Sequence, residues 1–175
     1  IDIDARNGFA FPAVDLAIEK LAELVPETGV AVATIRRSHH CGQLGAHVER
    51  LAERGIAALM VANTPKAMAP WGGNAALFGT NPIAFGIPQP EGEPPLTFDM
   101  ATSAIALFGV LTAKAQGVPL PHGVAYAKDG AGFTTDASEA LEGGAIATFG
   151  GHKGAGLALM VELLAGVLPG GHVLG

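Results

Sequence analysis

The sequence has 175 residues, 15% charged and 49% hydrophobic, and its ten Lys+Arg against sixteen Asp+Glu give a formal net charge of −6 with His neutral. A chain this long and this apolar can bury a real core, which excludes disorder, and its acidic balance argues against a nucleic-acid binder, which needs a basic stripe to meet phosphates. The single cysteine, Cys41, excludes an internal disulfide framework and a cysteine-based zinc site.

Residues 1–12 carry Asp2, Asp4 and Arg6 and so hold no signal-peptide core. Residues 14–25 place Val14, Ala17, Ile18, Leu21, Ala22 and Val25 at helical spacing, with Glu19, Lys20 and Glu23 on the other face. This predicts an amphipathic helix ended by Pro26 and Gly29. The nearly charge-free run 30–35 reads as a buried strand. After Arg36-Arg37 comes the polar turn Ser38-His39-His40-Cys41-Gly42, then a helix over about 43–54 stopped by Gly55, then a second buried strand over 56–62. Residues 63–88 are turn-rich, with Pro70-Trp71-Gly72-Gly73 and Gly79-Thr80-Asn81-Pro82. Short strands are expected near 83–87 and 96–98, a surface loop over 89–95, and a helix from about 103 to 116. A short helix is expected at 137–141 within an irregular stretch. The longest apolar segment, 154–168, is short for a membrane span and carries Glu162, so it reads as a buried core helix. Alternating strands and helices predict an α/β chain, and the default location is the cytoplasm.

Three familiar nucleotide and hydrolase signatures are missing: G-x-G-x-x-G after a strand, G-x-x-x-x-G-K-[ST], and G-x-S-x-G. The densest polar cluster is Ser38-His39-His40-Cys41-Gly42, after a strand and before a helix, where loops carry function. A histidine there can act as general acid. Neighbouring side chains of an extended segment alternate, so one of His39 and His40 is expected to be chemical and the other structural. The same residues also fit a plain pair of loop histidines, a metal site completed by His47 or His152, or a nucleophilic Cys41. The segment Asp99-Met100-Ala101-Thr102-Ser103 ends a strand and is expected to open a helix whose first amides suit an anion, or whose Thr and Ser merely cap it. Gly150-Gly151-His152-Lys153-Gly154 has the same form, and Lys153 at a helix start opposes the macrodipole. Asn81, before Pro82, is expected to be extended. Trp71 fits either a pocket wall or a plug at a core edge.

Taken in order, these stretches resemble the malate/L-lactate dehydrogenase family, which includes L-sulfolactate, ureidoglycolate, diketogulonate and Δ1-piperideine-2-carboxylate oxidoreductases. This family is distinct from the Rossmann-type lactate and malate dehydrogenases. The matching stretches are Ser38-His39-His40-Cys41-Gly42, Ala69-Pro70-Trp71-Gly72-Gly73, Gly79-Thr80-Asn81-Pro82, Phe98-Asp99-Met100-Ala101-Thr102-Ser103 and Gly151-His152-Lys153-Gly154. The resemblance implies a three-layer α/β/α fold with a mixed, largely antiparallel sheet and a non-Rossmann cofactor domain. It implies NAD or NADP as cofactor and a 2-oxo or 2-hydroxy acid as substrate. A cyclic imino acid, or a non-catalytic dinucleotide-binding fragment, is the alternative. By the same match His40 is the proton-transfer residue, and Thr64, Asp99, Met100, Ala101, Thr102, Ser103, His152 and Lys153 contact the cofactor. No metal, nucleic acid or membrane is implied; a homodimer is. Residues 1–175 correspond to the family's cofactor-binding core. The helical segment with a Ser-His pair and an Arg that precedes it in the family, and the part that follows it, are expected to lie outside this sequence. Ala155 stands where the family usually has an aromatic residue.

Overall fold

The computed structural model describes residues 1–171, and these fall into two compact units. The first comprises Ile1–Val61, Ile83–Met100 and Leu164–Gly171. It opens with strand β1 (Asp2–Gly8), helix α1 (Ala10–Thr28) and strand β2 (Thr34–Ser38), and the two strands pair in parallel with Asp2 opposite Thr34 and Ile3 opposite Ile35. Parallel strands need a crossover, which α1 supplies. Side chains alternate along β1: Ile3 and Ala5 pack with Ala13, Ala17 and Ile35, while Asp2 and Asp4 turn to the arginines of β2. Arg36 donates to Asp2 at 2.6 Å, and Arg37 forks onto both oxygens of Asp4.

Two expectations shift here. The strand predicted over 30–35 lies at Thr34–Ser38, and Val30 and Val32 are 78% and 61% exposed. The ladder with Asp2 and Asp4 carries Arg36 and Arg37 into the strand, whereas the apolar run before it has no partner strand in this pairing. Helix α1 also runs through Pro26 for two further residues. Proline's fixed φ is helical, and the carbonyl it leaves unserved, that of Ala22, lies near the helix end. Gly29, at φ 75, closes the helix by donating to the Val25 carbonyl at 2.8 Å.

Helix α2 (Leu44–Ala52) buries Leu51 against Val14 and Ile18 of α1. Strands β3 (Ala58–Val61), β4 (Ile83–Ile87) and β5 (Leu96–Met100) form an antiparallel sheet in that order.

The Arg37 hydrogen bonds hold the Asp4 carboxyl down at about 2, helped by the Arg6 amide and offset by partial desolvation. A carboxylate depressed in the folded state adds stability above its unfolded value of about 4, and that stability is lost as pH falls towards 2. Asp4→Asn should therefore flatten the stability–pH curve between about pH 4 and 2 and leave it unchanged in shape above. The effect is small because the pair faces water. Thermal melts over that window check it, and identical slopes in the two proteins would refute it.

The second unit comprises Ala62–Pro82 and Ala101–Leu163. It contains helix α3 (Leu107–Gln116), strand β6 (Ala125–Tyr126), helix α4 (Ala137–Leu141), strand β7 (Ala145–Ile146) and helix α5 (His152–Val161), which runs into a π-helical turn, Glu162–Val167. Strands β6 and β7 are antiparallel. Val110, Leu120 and Ile146 form one core cluster, and Met68, Phe78 and Ala158 another. Asp136 caps α4 by accepting from the Ser138 amide at 2.8 Å.

The α/β class with mixed, largely antiparallel pairing is therefore what the chain adopts. Among the described residues its strands fall into three small ladders. Among the same residues no helix is long and apolar enough to cross a membrane.

Candidate active site

In the first unit, the Ser38-His39-His40-Cys41-Gly42 loop leaves β2 and enters α2. Its backbone is pinned at both ends. The His39 amide donates to the Gly8 carbonyl at 3.1 Å, at the end of β1. Buried His47, on α2, reaches back to the Cys41 carbonyl at 2.7 Å. A carbonyl only accepts, so Nε2 of His47 carries the proton. No side chain caps α2 at Gln43. Instead, Asp99 from β5 accepts the Gly45 amide at 2.8 Å, placing a carboxylate at the positive end of the helix. Asp99, expected to touch a cofactor, thus already anchors the helix behind the histidine loop.

His39 and His40 are both exposed, so an imidazole of this loop is open to a ligand. Cys41 is half-buried; burial, together with the Asp99 charge, pushes its thiol up despite a backbone hydrogen bond that lowers it. That opposes the nucleophile reading, since the thiolate is the reactive form. Among the described residues no three His, Cys, Asp or Glu side chains gather into a metal-holding group. Arg36 and Arg37 are engaged by Asp2 and Asp4.

In the second unit, the expected helix opening at Ser103 is not there. Helix α3 starts at Leu107, and Ser103 instead forms an isolated antiparallel bridge with Thr148, with Thr102 in the bend before it. The Ala104 amide is taken by the Ala147 carbonyl, which holds this stretch against β7's continuation and delays the helix. Both hydroxyls point inward. Thr102 is fully buried and its Oγ1 donates to the Thr80 and Asn81 carbonyls at 3.0 and 3.1 Å; Ser103 donates to the Ile105 carbonyl at 2.8 Å. Neither acts as a helix cap. Met100 and Ala101, just before them, are half-buried.

The other predicted entrance is a true helix start. Gly150 and Gly151 adopt φ 56 and 62, and Gly151 caps α5 with no side-chain cap bond. His152 and Lys153 occupy the first turn and are exposed, so the lysine does oppose the helix dipole. Trp71, 64% exposed, sets its ring edge-on to His152 at a centroid distance of 5.9 Å and sits over Gly151, where a Cβ would meet it at 2.7 Å. Trp71 therefore covers a glycine turn at the surface. The Lys153 and Gly154 amides are taken by the Gly150 and Phe149 carbonyls at 3.4 and 3.1 Å, so what this helix start offers a dinucleotide is the Lys153 charge for its diphosphate and an exposed aromatic face for a ring.

Three residues have roles that the local sequence does not display. His47 fits a metal ligand by residue type, yet it holds the loop. Asn81 was expected to be extended and instead has φ 34, held by three side-chain hydrogen bonds. Glu162, read only as a break in an apolar helix, accepts from the amides of Asn81 and Asn63 at 2.8 and 3.3 Å. A carboxylate inside an apolar run was the signal for the last of these.

Fold and site together define a mixed α/β chain outside the doubly wound nucleotide-binding class, with a polar histidine loop and a glycine-bounded helix start. The chain belongs to the malate/L-lactate dehydrogenase family, whose model matches residues 1–175. It is 46% identical over 172 residues to a (2R)-3-sulfolactate dehydrogenase (NADP(+)) of Chromohalobacter salexigens, covering 98% of this chain and 51% of that protein. It is 48% identical over 172 residues to a Δ1-pyrroline-2-carboxylate/Δ1-piperideine-2-carboxylate reductase of Pseudomonas putida, covering 98% and 50%. The crystal structure of Δ1-piperideine-2-carboxylate reductase from Pseudomonas syringae pv. tomato matches with a TM-score of 0.92 at 46% identity, covering 97% of this chain and 51% of that one. The chain thus spans about half the length of the curated relatives it matches.

Proposed function

We propose that the protein is an NAD- or NADP-dependent oxidoreductase that interconverts a 2-hydroxy acid and a 2-oxo acid. The observation that carries this is the start of α5. There Lys153 and His152 are exposed on the first helical turn behind two glycines of positive φ, within a chain of this family. When bound, the nicotinamide supplies or accepts a hydride. The chain's residues do the rest. Lys153, at the first turn of α5, neutralises the diphosphate. His152 and Trp71 offer ring faces beside it. Thr64, Met100 and Ala101 line the cofactor, and the buried Thr102 and Ser103 hold that lining in place. His40 donates a proton to the substrate oxygen as negative charge builds there, and takes it back in the reverse direction.

The substrate carries a carboxylate next to the reacting C=O. A cyclic C=N in the same place is the second reading, favoured by the 48% identity to the Pseudomonas putida reductase; His40 then serves the nitrogen. A homodimer acting in the cytoplasm completes the proposal, and the apolar Leu159, Met160 and Leu163 exposed along and just beyond α5 are what such an assembly would cover.

Isothermal titration of the intact protein with NADH and NADPH tests the core of this reading. Binding of either supports it, and Lys153→Met should weaken that binding about tenfold, the worth of one charge-assisted contact. A panel of 2-oxo acids and cyclic imino acids, followed at the nicotinamide absorbance, then separates the two substrate classes. No heat with either dinucleotide would remove the proposal.

A further inference from the structure

We infer that Asn81 and Glu162 form a buried positioning pair that sets the affinity for the dinucleotide without touching it, by fixing the backbone at Thr64 and Thr102. The inference rests on the reading of those two segments as the cofactor's lining.

Asn81 is 0% exposed and has φ 34, a left-handed conformation directly before a proline. Such strain persists only where the surroundings over-determine it, and it collects at functional sites. Here the surroundings do. The Asn81 Nδ2 donates to the Ala158 carbonyl at 3.0 Å and to Glu162 Oε2 at 2.8 Å, while its Oδ1 accepts the Thr64 amide at 3.2 Å. Both donors and an acceptor of the amide are engaged.

The corner holds a segment on each side. The Thr80 amide donates to Thr64 Oγ1 at 2.9 Å. The Thr80 carbonyl accepts the Thr102 amide at 2.8 Å and, with the Asn81 carbonyl, the Thr102 hydroxyl. There is no slack between them: a Cβ on Gly79 would lie 2.2 Å from the Thr64 carbonyl oxygen and 2.6 Å from Asn81 Oδ1. Glu162, 3% exposed, gives the amide its direction. A carboxylate only accepts, so Nδ2 must face it and Oδ1 must face Thr64. A leucine would fill the same place in this apolar helix without the cost of burying a carboxylate, so packing does not explain the residue.

The test uses the intact protein and three variants. Glu162→Leu keeps the volume and removes the directing acceptor. Asn81→Gly relaxes the left-handed strain and removes the amide. Glu162→Gln keeps one acceptor for Asn81. Titration with NADPH and NADH should show Kd raised about tenfold or more in the first two and largely restored in the third, as expected when lining residues lose their placement. The cofactor KM should rise with them while kcat at saturation stays within about twofold, and amide hydrogen exchange at Thr64 and Thr102 should accelerate without ligand. If the parent binds and both Glu162→Leu and Asn81→Gly bind within twofold of it, with only their melting temperatures lowered, the pair is merely structural and the inference fails alone. If the parent binds neither dinucleotide, the proposed function fails and takes the inference with it. Should Glu162→Leu not fold, Asn81→Gly decides by the same comparison.

Discussion

His40→Ala in the intact protein lowers kcat by about 10² to 10⁴, the range that positioned proton transfer contributes. Cofactor affinity stays near the parent's, because the residues proposed to hold the dinucleotide are others. The matching control is His39→Ala. The two histidines are adjacent and both exposed, so solvent access does not distinguish them. Adjacent side chains alternate along an extended segment, so one of the two is expected to serve a given reacting atom. A loss confined to His40 supports the assignment. Equal rates in parent and His40→Ala would leave the loop as two solvated imidazoles and remove the proposed acid.

Gly154→Ala is the second large effect, and it acts on stability. A Cβ at this buried position would lie 2.3 Å from the Phe149 carbonyl oxygen and 2.9 Å from that of Thr102. Both are backbone atoms, so no side-chain rotation relieves the contact. The Gly154 amide also bonds the Phe149 carbonyl at 3.1 Å, so retreat breaks that bond. The expected cost is about 3 kcal/mol or more, or a fall of roughly 6–12 °C in melting temperature for a chain of this size. Differential scanning calorimetry measures it. A midpoint within about 2 °C of the parent's would mean the α5 entrance is looser than this packing implies.

Much of the fold was readable from periodicity. Helix α4 falls on the predicted residues 137–141, and β4 on 83–87. Strand β1 was missed because Asp2, Asp4 and Arg6 look like a solvated end, although Ile3 and Ala5 alternate with them. Its partners lie far along the chain, and only the pairing reveals that the acids meet Arg36 and Arg37. The start of α3 was placed too early because Thr102-Ser103 resembles a cap. The deciding contacts, to Thr80, Asn81 and Thr148, are non-local. The ordered motifs pointed to the family, and the family model spans the whole chain. What they could not convey is which of their hydroxyls and amides face inward: Thr102 and Asn81 looked like ligand contacts or turn formers and are internal struts.

The bond from Asp99 to the Gly45 amide joins residues 54 apart. Contacts of such separation close late, since the intervening chain must first lose its freedom. During synthesis α2 emerges well before the carboxylate that secures its first turn. The histidine loop therefore acquires its final shape only after β5 has been made and docked, and maturation of that end of the molecule waits on a strand translated long after it.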